Sequence, residues 1–197
     1  MRQVGVADPP KCPACQLGKQ HQRPHRHSHG KTWPEHEMSI KHDDLEPGDM
    51  TSVDQYLSTF GGRLPNTFGK EKKKDQYGGG TIFVDHATSR IYIRHQVSMQ
   101  AYETVRAKQA YEKDSLERGV RIKGYRADNM PFNSKPWMDD ITIKNQTIDF
   151  SGVGAHHQNR RAEKCIRDLQ ETTRAMLLHA ARRWPNAITA NLWPHAL

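Results

Sequence analysis

Cysteine is scarce in this chain, and that scarcity removes one class at once. Three cysteines among 197 residues make an odd count that a small disulfide scaffold does not use. Long apolar runs are missing as well. No stretch approaches the roughly 20 residues that a membrane helix needs, so no membrane partner is expected. The opening Met1-Arg2-Gln3-Val4-Gly5-Val6 has no apolar core of the kind a secretory signal carries. The expected setting is therefore a reducing one inside the cell, nuclear or cytoplasmic. Hydrophobic residues make up only 35% of the chain and mean hydropathy is −0.92, which leaves a modest core and a broad polar surface. Acidic residues are in deficit, 22 against 30 Lys and Arg, for a net charge of +8. Such a surface suits a polyanion, although solubility alone also accounts for it.

What is present begins with Cys12-Pro13-Ala14-Cys15. This spacing offers two thiolates to one tetrahedral Zn²⁺, which still needs two further ligands. His21, His25, His27 and His29 follow closely, too closely for a finger. The pair is either half of a zinc knuckle or a remnant that holds no metal. Residues 1–47 carry many His, Pro, Lys and Arg and no periodic apolar signal, so they read as a knuckle and linker. Residues 48–197 read as one folded domain.

Within that domain Met50–Tyr56 alternates as a strand does. Residues 61–80, with Gly61-Gly62, Gly78-Gly79-Gly80 and the basic run at 70–75, read as a long flexible loop. Strands are expected over 81–85 and 90–97, joined by a short turn. A helix follows over 98–116, with Ser98 as N-cap and Gly119 as its stop. Val120–Tyr125 alternates apolar and basic residues and delivers Asp128 at or just past its end. A weaker helix over 134–144 and a strand over 147–150 precede the last helix. The order β, ββ, α, β, α, β, α predicts a mixed sheet with helices packed on it.

At about 100° per residue, Ala162, Cys165, Ile166, Leu169, Thr173, Met176 and Leu177 share one arc of the last helix. Arg160, Lys164, Arg167 and Arg174 lie nearly opposite, and Glu163 falls on the flank between. A glutamate early in a helix complements the macrodipole by itself. Asp54 and Asp128 on separate elements supply the other reading, in which carboxylates hold a divalent metal while basic residues hold phosphate. Asp85, ending a strand before a turn, reads as a turn cap. Asp149 reads as a strand-edge polar residue, and Trp137, Trp184 and Trp193 as packing residues.

These residues carry a resemblance. Gly152-Val153-Gly154-Ala155-His156-His157-Gln158-Asn159, then Ala162-Glu163 and Ile166-Arg167-Asp168, with Ala127-Asp128-Asn129 and Val53-Asp54 upstream, resemble the integrase core of copia-type LTR retrotransposon polyproteins. Cys12-Pro13-Ala14-Cys15-Gln16-Leu17-Gly18-Lys19 resembles the end of the zinc-binding region that precedes that core. The likeness runs over about residues 10–197.

The resemblance implies an α/β, RNase H-like fold: a mixed five-stranded sheet flanked by helices, with a short irregular Cys/His segment ahead of it. It implies Asp54, Asp128 and Glu163 as the triad binding two Mg²⁺ or Mn²⁺ ions, and in-line attack on a phosphodiester by water or a DNA 3′-hydroxyl. It implies Gln158 and Asn159 in a mobile loop touching DNA, with Arg160, Lys164 and Arg167 on phosphates. DNA is then the partner, retrotransposon ends and target alike, and an active form would be a homo-oligomer. The family's histidine pair precedes its cysteines, so the zinc module is expected to begin upstream of residue 1. Two positions depart from the family: Arg160 and Met130-Pro131 stand where glycine follows Gln-Asn and Asp-Asn. Both remove backbone freedom beside the metal site. A catalytically inactive nucleic-acid-binding remnant and an RNase H-like nuclease remain as alternatives.

Overall fold

A computed structural model describes residues 12–18, 45–66, 75–151 and 159–197. Five strands form one mixed sheet: β1 (Thr51–Gly62), β2 (Tyr77–Asp85), β3 (Ile91–Gln96), β4 (Gly124–Ala127) and β5 (Thr147–Phe150). Their spatial order is β3-β2-β1-β4-β5. The β1–β2 and β2–β3 pairs are antiparallel, whereas β1–β4 and β4–β5 are parallel. Parallel neighbours need a crossover. Between β3 and β4 it is α2 (Ala101–Glu117); between β4 and β5 it is α3 (Asn129–Phe132) with α4 (Lys135–Ile143). The chain ends in α5 (Arg160–Arg183) and a 3-10 helix over Ala190–His195.

Strand parity sorts the side chains into two layers. On one face Val53, Phe83, Tyr125 and Ala127 meet Ala107 and Tyr111 of α2 and Trp137 and Ile141 of α4. Phe83 stacks on Tyr111 with ring centroids 4.6 Å apart. On the other face Ile82 and Val84 meet Ala162, with Cys165, Ile166 and Leu169 of α5 packed against them. Buried Ala162 and partly buried Cys165, Ile166 and Leu169 thus form the packed stripe that the helical periodicity marks out. Met176 does not: it is exposed. In that half of the helix Ala175 turns inward instead, against α1 (Pro13–Gly18), where a Cβ on Gly18 would come within 2.8 Å of the Ala175 Cβ.

Beneath α2 and α4 lies a buried ionic network. Lys108 is fully buried, and its Nζ donates to Asp140 and, at 2.6 Å, to Gln146. Glu112 lies 2.8 Å from the same ammonium and accepts from Lys144 at 2.6 Å, the Tyr125 hydroxyl at 2.7 Å and Gln146 at 2.8 Å. Burial alone would raise the Glu112 carboxyl, but these donors hold it below the ordinary range. The network joins α2, α4 and β4.

Several boundaries differ from expectation. Gly61-Gly62 ends β1 and Gly78-Gly79-Gly80 lies inside β2, so the expected long loop is much shorter. The glycines belong there because a Cβ on Gly79 would sit 2.1 Å from the Tyr56 carbonyl oxygen, and one on Gly80 would sit 2.4 Å from that of Arg94. Helix α2 begins at Ala101 with Gln100 as N-cap; Ser98 accepts from the Gln100 amide at 3.3 Å instead of capping the helix. Gly119 does end it, at φ +78°. Strand β4 starts at Gly124, because the Val120 amide closes the turn of α2 onto Ser115 and the Lys123 amide bonds Gly48. Trp137 and Trp193 are packed, but Trp184 is 56% exposed beside the Arg183 guanidinium.

Candidate active site

Register brings two of the acids together. In the parallel β1–β4 pair, Val53 faces Ala127. One residue after each of these stand Asp54, still within β1, and Asp128, directly after β4. Val53 and Ala127 pack on the α2 side, so their successors turn toward α5. Helix α5 is anchored on that side by buried Ala162, and the next residue is half-buried Glu163.

The electrostatics record the convergence. The Asp54 carboxyl is pushed up to about 6, first by burial and then by the negative charges of Asp128 and Glu163, against a lowering bond from the Gln55 amide. That amide donates to Asp54 Oδ1 at 2.7 Å. Ser151, just past β5, donates its hydroxyl to Asp128 Oδ1.

The donor set suits a hard divalent cation in kind: three carboxylates from three elements, with like charges raising one another's cost of ionisation. Their oxygens are not drawn in as a group. Among the described residues, the only set of three metal-ligand atoms lying within 4.8 Å of one another is Cys12, Cys15 and His179. A cation between the acids would have to pull them closer.

The start of α5 is held from behind. Asn159 is fully buried, and its Nδ2 donates to the Val53 carbonyl at 3.2 Å. Arg161 donates to the carbonyls of Asp85 and His86 at the end of β2. Asn159 therefore does not join the DNA-contacting surface expected of it, because its amide is committed to the strand that carries Asp54. Gln158, expected beside it, lies outside the described residues. Arg160, Lys164 and Arg167 are exposed along α5, as their angular positions require. Met130, next to Asp128, is 86% exposed and non-helical at φ −106°, ψ 129° within α3.

Asp85 is a turn cap, as its position suggests: it accepts the Thr88 amide at 2.8 Å and hydroxyl at 2.7 Å, and the Gly48 amide at 2.9 Å. Asp149 lies exposed on edge strand β5, 3.4 Å from Arg126. The cysteine pair has an unforeseen neighbour. His179 of α5 places Nε2 3.1 Å from Cys12 Sγ and 3.6 Å from Cys15 Sγ. His21, His25, His27 and His29 lie outside the described residues. No spacing rule could have singled out His179, which is separated from Cys15 by nearly the whole chain.

Neither a protein-family profile nor a curated protein matches the chain. Solved structures do. A chain of the simian T-cell lymphotropic virus intasome matches with TM-score 0.55 and 17% identity, over 94% of this chain and 55% of that one. The chain thus spans about half the length of that relative. The catalytic core of HTLV-2 integrase, solved with magnesium in a dimeric form, matches with TM-score 0.45 and 15% identity over 77% of this chain and 84% of that one. The catalytic core of BIV integrase matches with TM-score 0.47 and 11% identity, covering 76% and 80%. The intasome match shows the fold alone: an RNase H-like mixed five-stranded sheet flanked by helices. No helix among the described residues is long and apolar enough to cross a membrane.

Proposed function

We propose that this chain is an integrase-type polynucleotidyl transferase of copia-type retrotransposon origin, with Asp54, Asp128 and Glu163 as its metal-binding acids. The observation that carries the reading is the delivery of all three acids to the α5 side of β1 and β4, with Asp54 held protonated to about pH 6 partly by the other two. Carboxylates that disfavour one another's ionisation gain most from a shared cation.

Bound there, two Mg²⁺ or Mn²⁺ ions would supply Lewis acidity for in-line phosphodiester attack. The chain's own groups set the frame. Ser151 orients Asp128, the Gln55 amide orients Asp54, and Asn159 with Arg161 fixes where α5 begins and so where Glu163 stands. Exposed Arg160, Lys164 and Arg167 run along the same helix and would bind DNA phosphates, contributing affinity rather than sequence choice. In this reading residues 48–197 are the catalytic core and residues 1–47 a zinc-binding segment and linker, and the active form is a homo-oligomer on DNA.

Arg160 and Met130-Pro131, standing where the resembled family keeps glycine, favour a second reading: a remnant that binds nucleic acid without cutting it. The test is 3′-end processing and strand transfer of LTR-end DNA with Mn²⁺, comparing the natural chain with Asp128→Asn and Glu163→Gln. Joined products lost in both variants support the proposal. Activity that survives both sinks the triad, water-only products indicate a nuclease, and salt-sensitive binding with no chemistry indicates the remnant.

A further inference from the structure

We propose that His95 is an acid-sensitive latch, a neutral imidazole that holds the C-terminal 3-10 helix on the sheet and releases it when the ring takes up a proton. Both ring nitrogens are engaged. Nε2 lies 3.2 Å from the Pro194 carbonyl, which can only accept, so this nitrogen carries the hydrogen. Nδ1 is then the bare nitrogen, and it accepts the Tyr56 hydroxyl at 2.6 Å. Burial raises the Tyr56 hydroxyl far above its ordinary range, and Tyr77 adds to the effect, so the phenol keeps its proton and stays the donor. One imidazole in one tautomer thus joins β1, β3 and the 3-10 helix.

The rest of the seat is built around that ring. Buried Trp193 stands edge-on to both His95 and Tyr56, with ring centroids 5.2 Å and 6.1 Å apart, and Tyr77 of β2 closes a further side at 5.4 Å. The Trp193 indole donates to the Phe60 carbonyl at 2.8 Å, and the Arg63 amide donates to the Asn191 carbonyl at 2.7 Å. Glycine permits the close approach at position 62, since a Cβ there would lie 2.5 Å from Pro194 and 2.7 Å from Trp193. Tyr56 and Trp193 also wall a groove of about 350 Å³ that Phe60, Arg174 and Leu177 line, so release of the helix would open that groove.

A proton added at Nδ1 breaks this arrangement. The new N–H would point at the Tyr56 hydroxyl, which would have to turn its own hydrogen out of the bond it makes now. The added charge would also sit on a half-buried ring among aromatic neighbours, where water solvates it poorly. The titratable and charged groups around the ring are Tyr56 of β1, Tyr77 of β2, Arg94 on β3 itself and His195 of the 3-10 helix, with Arg174 of α5 along the groove. None of these is a carboxylate that could pair with an imidazolium. Burial accordingly holds the His95 ring below its ordinary 6.5, helped by the His195 and Arg94 charges and opposed by the bond to Pro194. The released ring titrates at its ordinary value and the latched ring lower. The latch therefore gives its full stability above pH 6.5 and loses it as pH falls through the latched value.

The latch does not depend on the catalytic reading, and the experiment keeps the two apart, because Asp54 titrates in the same range. Nitrogen NMR of the full chain with labelled histidine, in chelator at pH 7.5, should show a ring fixed as the Nε2–H tautomer that disappears in His95→Gln. Amide exchange over residues 189–197, corrected for the intrinsic pH effect, should be faster at pH 5.5 than at pH 7.5, by up to about tenfold for each pH unit below the ordinary histidine value. Strand β2 should stay protected at both. His95→Gln has no titrating ring and His95→Phe keeps the ring packing, so each should exchange at one corrected rate at the two pH values. Asp54→Asn and His195→Gln should keep the acid response of the natural chain. Circular dichroism checks that every variant retains the fold. Equal corrected exchange at both pH values in the natural chain, or an acid response that survives in both His95 variants, would overturn the proposal. So would an acid response lost in Asp54→Asn or His195→Gln, or a His95 ring fixed as the Nδ1–H tautomer.

Discussion

Asn159 donates its buried side-chain amide to the carbonyl of Val53, the residue immediately before Asp54, at 3.2 Å. One hydrogen bond thus ties the residue preceding α5 to the strand that carries the first acid. Four residues later along the chain stands Glu163. The distance between two members of the proposed triad is therefore set partly by a residue whose own side chain is turned into the sheet.

Asn159→Ala should destabilise the protein by about 1–3 kcal/mol, the cost of leaving a buried carbonyl unpaired. It should also weaken Mn²⁺ binding, because Glu163 loses its fixed starting point. Urea unfolding and metal titration together check this. A variant that loses stability but keeps full metal affinity would limit Asn159 to a structural role.

Asp54 makes a signed pH prediction for the metal-free protein. Its carboxyl titrates near 6 when folded against 3.8 as its ordinary value. Between those values the folded state keeps a proton that the unfolded state releases, so stability falls as pH rises through that window and then levels off. The full difference is on the order of 3 kcal/mol. Asp54→Asn should be more stable than the natural chain at pH 8 in chelator, with the advantage gone by pH 4. Parallel urea curves at pH 4, 6 and 8 decide the matter; equal pH dependence in both proteins would refute it.

The buried ammonium of Lys108 serves Asp140, Glu112 and Gln146 at once. Lys108→Ala should cost about 3–5 kcal/mol, because it leaves buried acceptors without their cation. Thermal or urea melts read this directly. A loss below about 1 kcal/mol would mean that Lys144, 2.6 Å from Glu112 and 3.0 Å from Asp140, compensates fully.

Arg160, Lys164 and Arg167 should set the salt dependence of DNA binding. Each phosphate contact removed by alanine lowers the slope of log affinity against log salt by about 0.9 on duplex DNA. Arg106→Ala, on α2 across the sheet, serves as the control and should leave the slope unchanged. A triple α5 variant with the natural slope would move the DNA surface elsewhere.

Much of the architecture was legible from local pattern. The strands over 81–85 and 147–150, the helix over 134–144 and the apolar stripe of α5 follow from periods of two and 3.6 residues, which a linear sequence displays openly. The turn cap at Asp85 is equally local. Glycine misled, because Gly78-Gly79-Gly80 looks like loop punctuation. It is needed inside β2, where the Tyr56 and Arg94 carbonyls come too close for any side chain. Asn159 misled in the same way, since burial depends on what lies across the sheet.

The sequence by itself determined a basic, cysteine-poor chain, the order of its elements, three acids on separate elements and a basic face on the last helix. Those are properties of composition and short period. Only the tertiary structure decided that the Val53–Ala127 register sets Asp54 beside Asp128, that Asn159 faces inward, and that His179 stands over Cys12 and Cys15. Strand pairing and helix packing join residues far apart in the chain, and nothing in local spacing encodes which distant partner a side chain will meet.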